Sequence, residues 1–519
     1  MPALHRSSTS AASRPHRPVA RPAAAIAVTL LALALPLAPA TAGAQATDGW
    51  TQFQGGPEHV GAAPDGPRPP FVESWSLEEP LGGVTGAEGL SGIAAADGLA
   101  VTVGPASVIA VEGSTGAEVW RIERDGGPPT QPAIATGADG PVVVFTEGYG
   151  PNPPAGASPS DTPAPTASDA PSPSDAADDG DPGVDLVAVS LPDGQEVWRT
   201  QLPSPSRSGV SARGDVVVVG GNDGSVTALE AATGKIRWTE PVGDAIYSSV
   251  TLTEDLALVS APGDDDGAFA VVALDVTDGG QAWRYEPGGA AFFGSTAAVA
   301  DGTAFATFDD ATVRAFDPET GEERWLARMN DIAAATPPVV VGDVVVSVDV
   351  GGQVYAFDGA TGERRWDHAL NVGRPNVRSA AVATGEHVVV PTTRGEVFVI
   401  ELATGELVSS TDVADGSLRS LAVTDGSVIG VRGGGRSGLV ALEHDPGGSL
   451  FRVGSPTIFD PGTFAGPLAI AAIPLVVVLV LFGRLLAARL GPARLGRPDP
   501  IDPIESALDE GHDDDGTAR

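Results

Sequence analysis

Gly352-Gln353-Val354-Tyr355-Ala356-Phe357-Asp358, followed by the turn Thr361-Gly362 and then Trp366, is the stretch that decides the fold. Apolar residues alternate through its first half, as a strand half-buried in a sheet requires. Thr-Gly then supplies a tight reversal, because Gly tolerates positive φ at no steric cost. A second strand carries the Trp. The same pattern runs from Gly224-Ser225-Val226-Thr227-Ala228-Leu229-Glu230 to Trp238, and from Ala311-Thr312-Val313-Arg314-Ala315-Phe316-Asp317 to Trp325. The turns at Thr233-Gly234, Thr320-Gly321 and Thr361-Gly362 each stand four residues before their Trp.

Working outward, the marks are Trp75, Trp120, Trp198, Trp238, Trp283, Trp325 and Trp366. Two degenerate equivalents follow, Ser409 after Thr404-Gly405 and Phe451 after Gly447-Gly448. The intervals are 45, 78, 40, 45, 42, 41, 43 and 42 residues. The outlier contains residues 151–183, of which 27 of 33 are Pro, Ala, Ser or Asp. Such a segment cannot bury a core and is expected to be a disordered loop. Without it the interval falls to 45 residues, in line with the rest. Nine marks enclose eight units, and four short strands per unit predict an all-β, eight-bladed propeller.

The G-x-V-x-A-x-D…T-G-x-x-x-W unit resembles the pyrroloquinoline-quinone (PQQ)-type propeller repeat. Trp50-Thr51-Gln52-Phe53-Gln54-Gly55-Gly56, with Gly61 and Trp75, is similar to the N-terminal lead-in of that superfamily. The resemblance covers Trp50 to Val453. It implies that the repeated Trp residues lock neighbouring blades, which suits a side chain able to bury roughly 150–250 Å². Quinoprotein dehydrogenases of this fold hold PQQ with Ca²⁺, an Asp base and commonly a vicinal disulfide. Here Cys is absent, no haem-attachment motif occurs, and no matching Glu–Asn–Asp site is found. The resemblance is therefore closer to the non-catalytic branch of outer-membrane-assembly lipoproteins. It implies no catalytic residue, no cofactor and no metal.

Composition sets the surroundings. The chain holds 67 acidic and 30 basic residues in 519, a formal charge of -37, which argues against a nucleic-acid partner. Arg6, Arg14, Arg17 and Arg21 precede a charge-free apolar stretch with small-residue sites near Ala42 and Ala46, so residues 1–46 read as a signal peptide. Pro461 to Gly483 is free of charge and long enough to cross a bilayer. Arg484, Arg489, Arg494 and Arg497 follow it, and positive charge marks the cytoplasmic side. The expected order is a signal peptide (1–46), an exported propeller (47–460), a transmembrane helix (461–483) and a cytoplasmic tail (484–519). The exported part carries 59 acidic and 21 basic residues.

Inner strands are expected to begin 10–13 residues after each Trp and to line the channel. Arg207-Ser208, Tyr247-Ser248-Ser249, Phe293-Gly294-Ser295, Thr336, Arg378-Ser379 and Arg419-Ser420 fall there. Arg207, Arg378 and Arg419 are thus candidates for holding an anion or acidic peptide, since the guanidinium fork matches carboxylate geometry. The alternative is solvated Arg neutralising nearby acids. Asp264-Asp265-Asp266-Gly267 lacks the alternating spacing and distal Glu of a calcium loop and reads as a hairpin tip. Gly433-Gly434-Gly435-Arg436-Ser437-Gly438 matches a dinucleotide fingerprint, but a strand follows it where a helix would be needed, so a hairpin is expected. His59, His368, His387 and His444 show no triad spacing. The chain therefore reads as a monomeric, membrane-anchored propeller that binds an envelope protein or peptide. A PQQ-dependent oxidoreductase and a sensor coupled through the span are the alternatives.

Overall fold

A computed structural model describes residues 49–79, 91–124, 129–148, 184–262, 269–287, 295–331, 336–370, 379–413, 417–433 and 437–448. These fold into eight sheets, antiparallel throughout except where Ala62–Ala63 pairs parallel with Val382–Thr384. Six are four-stranded, and two gain a short fifth strand from the lead-in. The signal peptide, the 151–183 loop, the 461–483 span and the tail all lie outside the described residues. Among the described residues no helix is long and apolar enough to cross a membrane.

The sixth blade shows why the sequence folds this way. Its strands are Val339–Val341, Val344–Val348, Gln353–Asp358 and Arg364–Ala369, from the inside outward. The second strand is buried along its whole length, and the third at its four central residues. Each blade presses both faces against neighbours, which is why Val runs replace simple alternation. The third strand ends at Asp358, whose Oδ1 accepts the N–H groups of Ala360 and Thr361. Gly362 sits at φ 72° and donates to the Asp358 carbonyl at 2.8 Å, which closes the turn. Arg365 bonds the other Asp358 oxygen at 2.6 Å and Asp343 at 2.5 Å. The Arg365 guanidinium, with help from Thr361, holds the Asp358 carboxyl at about 2.

The core lies between blades. The apolar clusters follow the interfaces in order, from blades one and two to blades six and seven. One further cluster joins blades seven, eight and one. A lone blade would expose both apolar faces, so the ring gains its stability as a whole.

The count of eight holds, but the ninth mark is not needed to reach it. The last blade takes Ser417–Val423, Ser427–Gly433 and Gly438–His444 from the C-terminal side, and Phe71–Glu78 as its outer strand. Trp75 lies on that strand, opposite Ala441. Phe451 lies outside the described residues. The ring is closed by pairing the two ends of the propeller, a connection that no repeat interval reveals.

Each of the seven repeat indoles is used once. Trp75 Nε1 donates to the Gly113 carbonyl of the first blade at 3.1 Å. Trp120 bonds Leu191, Trp198 bonds Ala231, Trp238 bonds Val276, Trp283 bonds Pro318, Trp325 bonds Gly359 and Trp366 bonds Leu402, at 2.7–2.9 Å. Every acceptor belongs to the next blade round the ring. At the seventh blade Ser409 takes the Trp position. It is buried, and its hydroxyl has no partner among the described residues.

Candidate functional site at the channel ends

The lead-in crosses one end of the central channel. Gly49–Trp50 pairs with Ala95 and Ala96 of the first blade. The Thr51 carbonyl accepts from Ile134 of the second blade. Pro57, Glu58, Val60 and Gly61 then offer carbonyls to Leu252, Val299, Val340 and Ala383, on the inner strands of blades four to seven. Gln52 serves the third blade with its side chain: Nε2 donates to the Ala212 carbonyl at 3.2 Å, and Oε1 accepts the Ala212 N–H at 2.7 Å. Gln54 Nε2 reaches the Ala381 carbonyl at 3.2 Å. An ion pair joins Glu58 to Arg213. One segment therefore touches seven inner strands in chain order and forms a floor.

His59 sits in this floor, fully buried, with its ring edge-on to Phe53 at 5.9 Å. Neither ring nitrogen has a partner among the described residues. Burial alone pushes its pKa down to about 3, so the imidazole is neutral. The sequence offered no signal for this beyond a His in the lead-in.

The segments that precede the inner strands lie at the other end. Ser208 comes three residues before the strand Ser211–Arg213, and Ser249 two before Thr251–Leu252. Both strands begin 13 residues after their Trp, at the far limit of the expected spacing, whereas Ala298–Ala300, Val339–Val341 and Val382–Thr384 begin 15, 14 and 16 residues after theirs. Arg207 is exposed there. Ser208 Oγ donates to the Ser248 carbonyl at 2.8 Å, which pins the Arg207 segment to the segment bearing Tyr247. Tyr247 is 61% exposed, the highest value among the exposed large apolar side chains. Ser248 Oγ bonds the Ser260 carbonyl at 3.0 Å and Ser260 Oγ bonds the Ser295 carbonyl at 2.7 Å. Thr307 reaches the Thr336 carbonyl, and Ser379 the Leu418 carbonyl. Of the hydroxyls singled out from spacing, Ser208 and Ser379 therefore brace neighbouring blades, while those of Ser248 and Ser295 bond within their own blade.

Arg419 differs in its local backbone. The eighth inner strand pairs Leu418 with Arg432 and Ser420 with Val431, which leaves Arg419 as the extra residue of a bulge. A bulge re-aims its side chain. The Arg419 side chain is exposed and lies over Gly433, where a Cβ would collide with it. Arg378 lies outside the described residues, as do Asp264, Asp265 and Asp266. Gly433 and Gly438 end and begin neighbouring paired strands, so that stretch links two strands of one blade. Among the described residues no three His, Asp or Glu side chains gather to hold a metal ion.

On the floor side, a pocket of about 590 Å³ opens between the eighth and first blades. Asp97, Glu112, Asp425 and Glu443 line it together with Trp50.

A family model described as outer membrane protein assembly factor BamB matches residues 183–325 and 270–433. BamB of Burkholderia pseudomallei is 32% identical over 138 residues, 26% of this chain and 34% of that protein. The chain thus matches about a third of the length of that relative. The crystal structure of BamB from Moraxella catarrhalis has a TM-score of 0.53 at 18% identity, covering 73% of this chain and 99% of that one. A quinohemoprotein alcohol dehydrogenase from Pseudomonas putida has a TM-score of 0.56 at 14% identity, covering 79% and 82%. These two structures show likeness of fold alone. Repeat, indole docking and family match agree, and the chain belongs to the PQQ-like repeat β-propeller superfamily.

Proposed function

We propose that this chain is a non-catalytic binding module of the cell envelope, docking a protein or peptide partner on its propeller. The observation that carries the reading is the floor made by residues 49–61. It closes one end of the channel to each of blades one to seven, so a partner reaches the channel from the face bearing Arg207, Tyr247 and Arg419. The matches to assembly factors support the same class. In this proposal residues 1–46 direct export, 461–483 anchor the chain in the membrane, and 484–519 stay in the cytoplasm. The propeller acts as a monomer. The dehydrogenase alternative rests on likeness of fold and on a short sequence match, 30% identical over 82 residues, to a putative dehydrogenase of Paracoccus denitrificans.

Site-directed photo-crosslinking in the native envelope tests this, with the crosslinker placed at Tyr247 in one variant and at Ser114 on the floor side in another. A discrete polypeptide adduct from Tyr247 supports the reading. Adducts from neither position, together with dye reduction dependent on PQQ and Ca²⁺, would replace it with the dehydrogenase.

A further inference from the structure

We infer that the face opposite the floor recognises an acidic polypeptide segment, held by Arg207 and Arg419, with an apolar residue of the partner packed on Tyr247. This rests on the reading of the chain as a protein-binding module and names the chemistry of its partner.

Three observations carry it. First, the arginines of this domain are mostly committed to carboxylates. Arg121, Arg199, Arg213, Arg237, Arg324 and Arg365 each pair with Asp or Glu on the surface. Arg124 and Arg314 do so in buried positions. Arg207 and Arg419, like Arg68 and Arg328, have no carboxylate partner among the described residues, although the exported region carries 59 acids to 21 bases. A cation left unneutralised in so acidic a domain is available to an anion from outside. Second, both are presented by built features. Arg419 stands on a bulge that interrupts an otherwise regular strand pairing. Arg207 stands on a segment fixed to its neighbour through Ser208 and Ser248. A backbone already held in place loses less freedom when a partner binds. Third, Tyr247 lies on that same neighbouring segment and exposes most of its ring. A charged fork on the segment next to one bearing an exposed aromatic fits a peptide that offers both a carboxylate and an apolar side chain. The negative field of the rest of the domain repels acidic chains elsewhere and favours this register.

The probe is a fluorescent Glu-rich peptide carrying one Phe, titrated against the full chain in neutral detergent. Binding that weakens about tenfold or more in Arg207→Gln with Arg419→Gln is expected. Arg207→Lys with Arg419→Lys should keep part of the affinity, and Tyr247→Ala should lower it at every salt concentration. All side chains changed are exposed, so each variant should melt with the parent. Equal affinity in parent and Gln variants would overturn the inference. So would tight binding of short-chain phosphatidylglycerol through these arginines in place of the peptide. An intact Tyr247 crosslink with no peptide binding would remove the acidic-partner inference and leave the binding-module reading standing.

Discussion

The indole of Trp366 lies so close to Gly405 of the next blade that a Cβ at position 405 would sit 2.6 Å from the ring carbons Cδ2 and Cε3. Gly405 also holds φ at 74°. The same fit recurs between Trp325 and Gly362. The T-G turn and the Trp thus form one device split across two blades: the glycine leaves room for the indole of its predecessor.

Gly405→Ala should therefore destabilise the propeller by more than about 1 kcal/mol, since it combines positive φ with overpacking. Trp366→Ala should cost on the order of 3–5 kcal/mol. The double variant should cost less than the sum, because removing the indole relieves the clash. Denaturant melts of the three variants measure this.

The seam between blades seven and eight has no indole, and blade eight is zipped from both ends of the propeller. Its cross-seam contacts include Thr411 Oγ1 donating to the Phe71 carbonyl at 2.9 Å. Hydrogen exchange should open Phe71–Glu78 and Gly438–His444 before Gln353–Asp358, because local opening follows the weakest packing. Earlier exchange of Gln353–Asp358 would count against this order.

Eight blades were legible in the sequence because the glycine and tryptophan positions are forced by that steric fit and so recur at one interval. The ring closure was not legible, since a pairing between Trp75 and Ala441 leaves no local periodicity. The floor was visible only as a resemblance: Gln52 and Gln54 act through long-range bonds to Ala212 and Ala381. Of the three candidate arginines, spacing located Arg207 and Arg419 near the starts of inner strands, but the bulge that turns Arg419 outward depends on pairing with Arg432 and Val431.

Gln52→Ala removes both bonds to Ala212 and leaves a buried N–H and carbonyl unpaired. A loss of about 1–3 kcal/mol is expected. Gln52→Glu keeps the acceptor for the Ala212 N–H but loses the donor and adds a buried charge, so it should be worse than neutral replacement. Thermal melts of both variants check the order.

His59 gives the pH dependence a sign. Its folded pKa is pushed down to about 3 from an unfolded value near 6.5. The unfolded chain therefore takes up the proton first. Stability is unaffected above pH 6.5 and falls by about 1.4 kcal/mol per pH unit below it, until the folded pKa is reached. His368 and His387, also lowered by burial, act in the same sense. Asp358, held at about 2 chiefly by Arg365, loses its contribution only as pH falls below the ordinary carboxylate range. In His59→Gln the slope between pH 6.5 and 4.5 should shrink by about that amount. An unchanged slope would mean that His59 finds a proton acceptor in the folded chain.

The most direct test of a propeller that binds through one face is the paired crosslinking experiment in the native envelope. The expected result is a polypeptide adduct from the crosslinker at Tyr247 that is lost in Arg207→Gln with Arg419→Gln, and no such adduct from Ser114. An adduct from Ser114 alone, unaffected by the arginine changes, would contradict it.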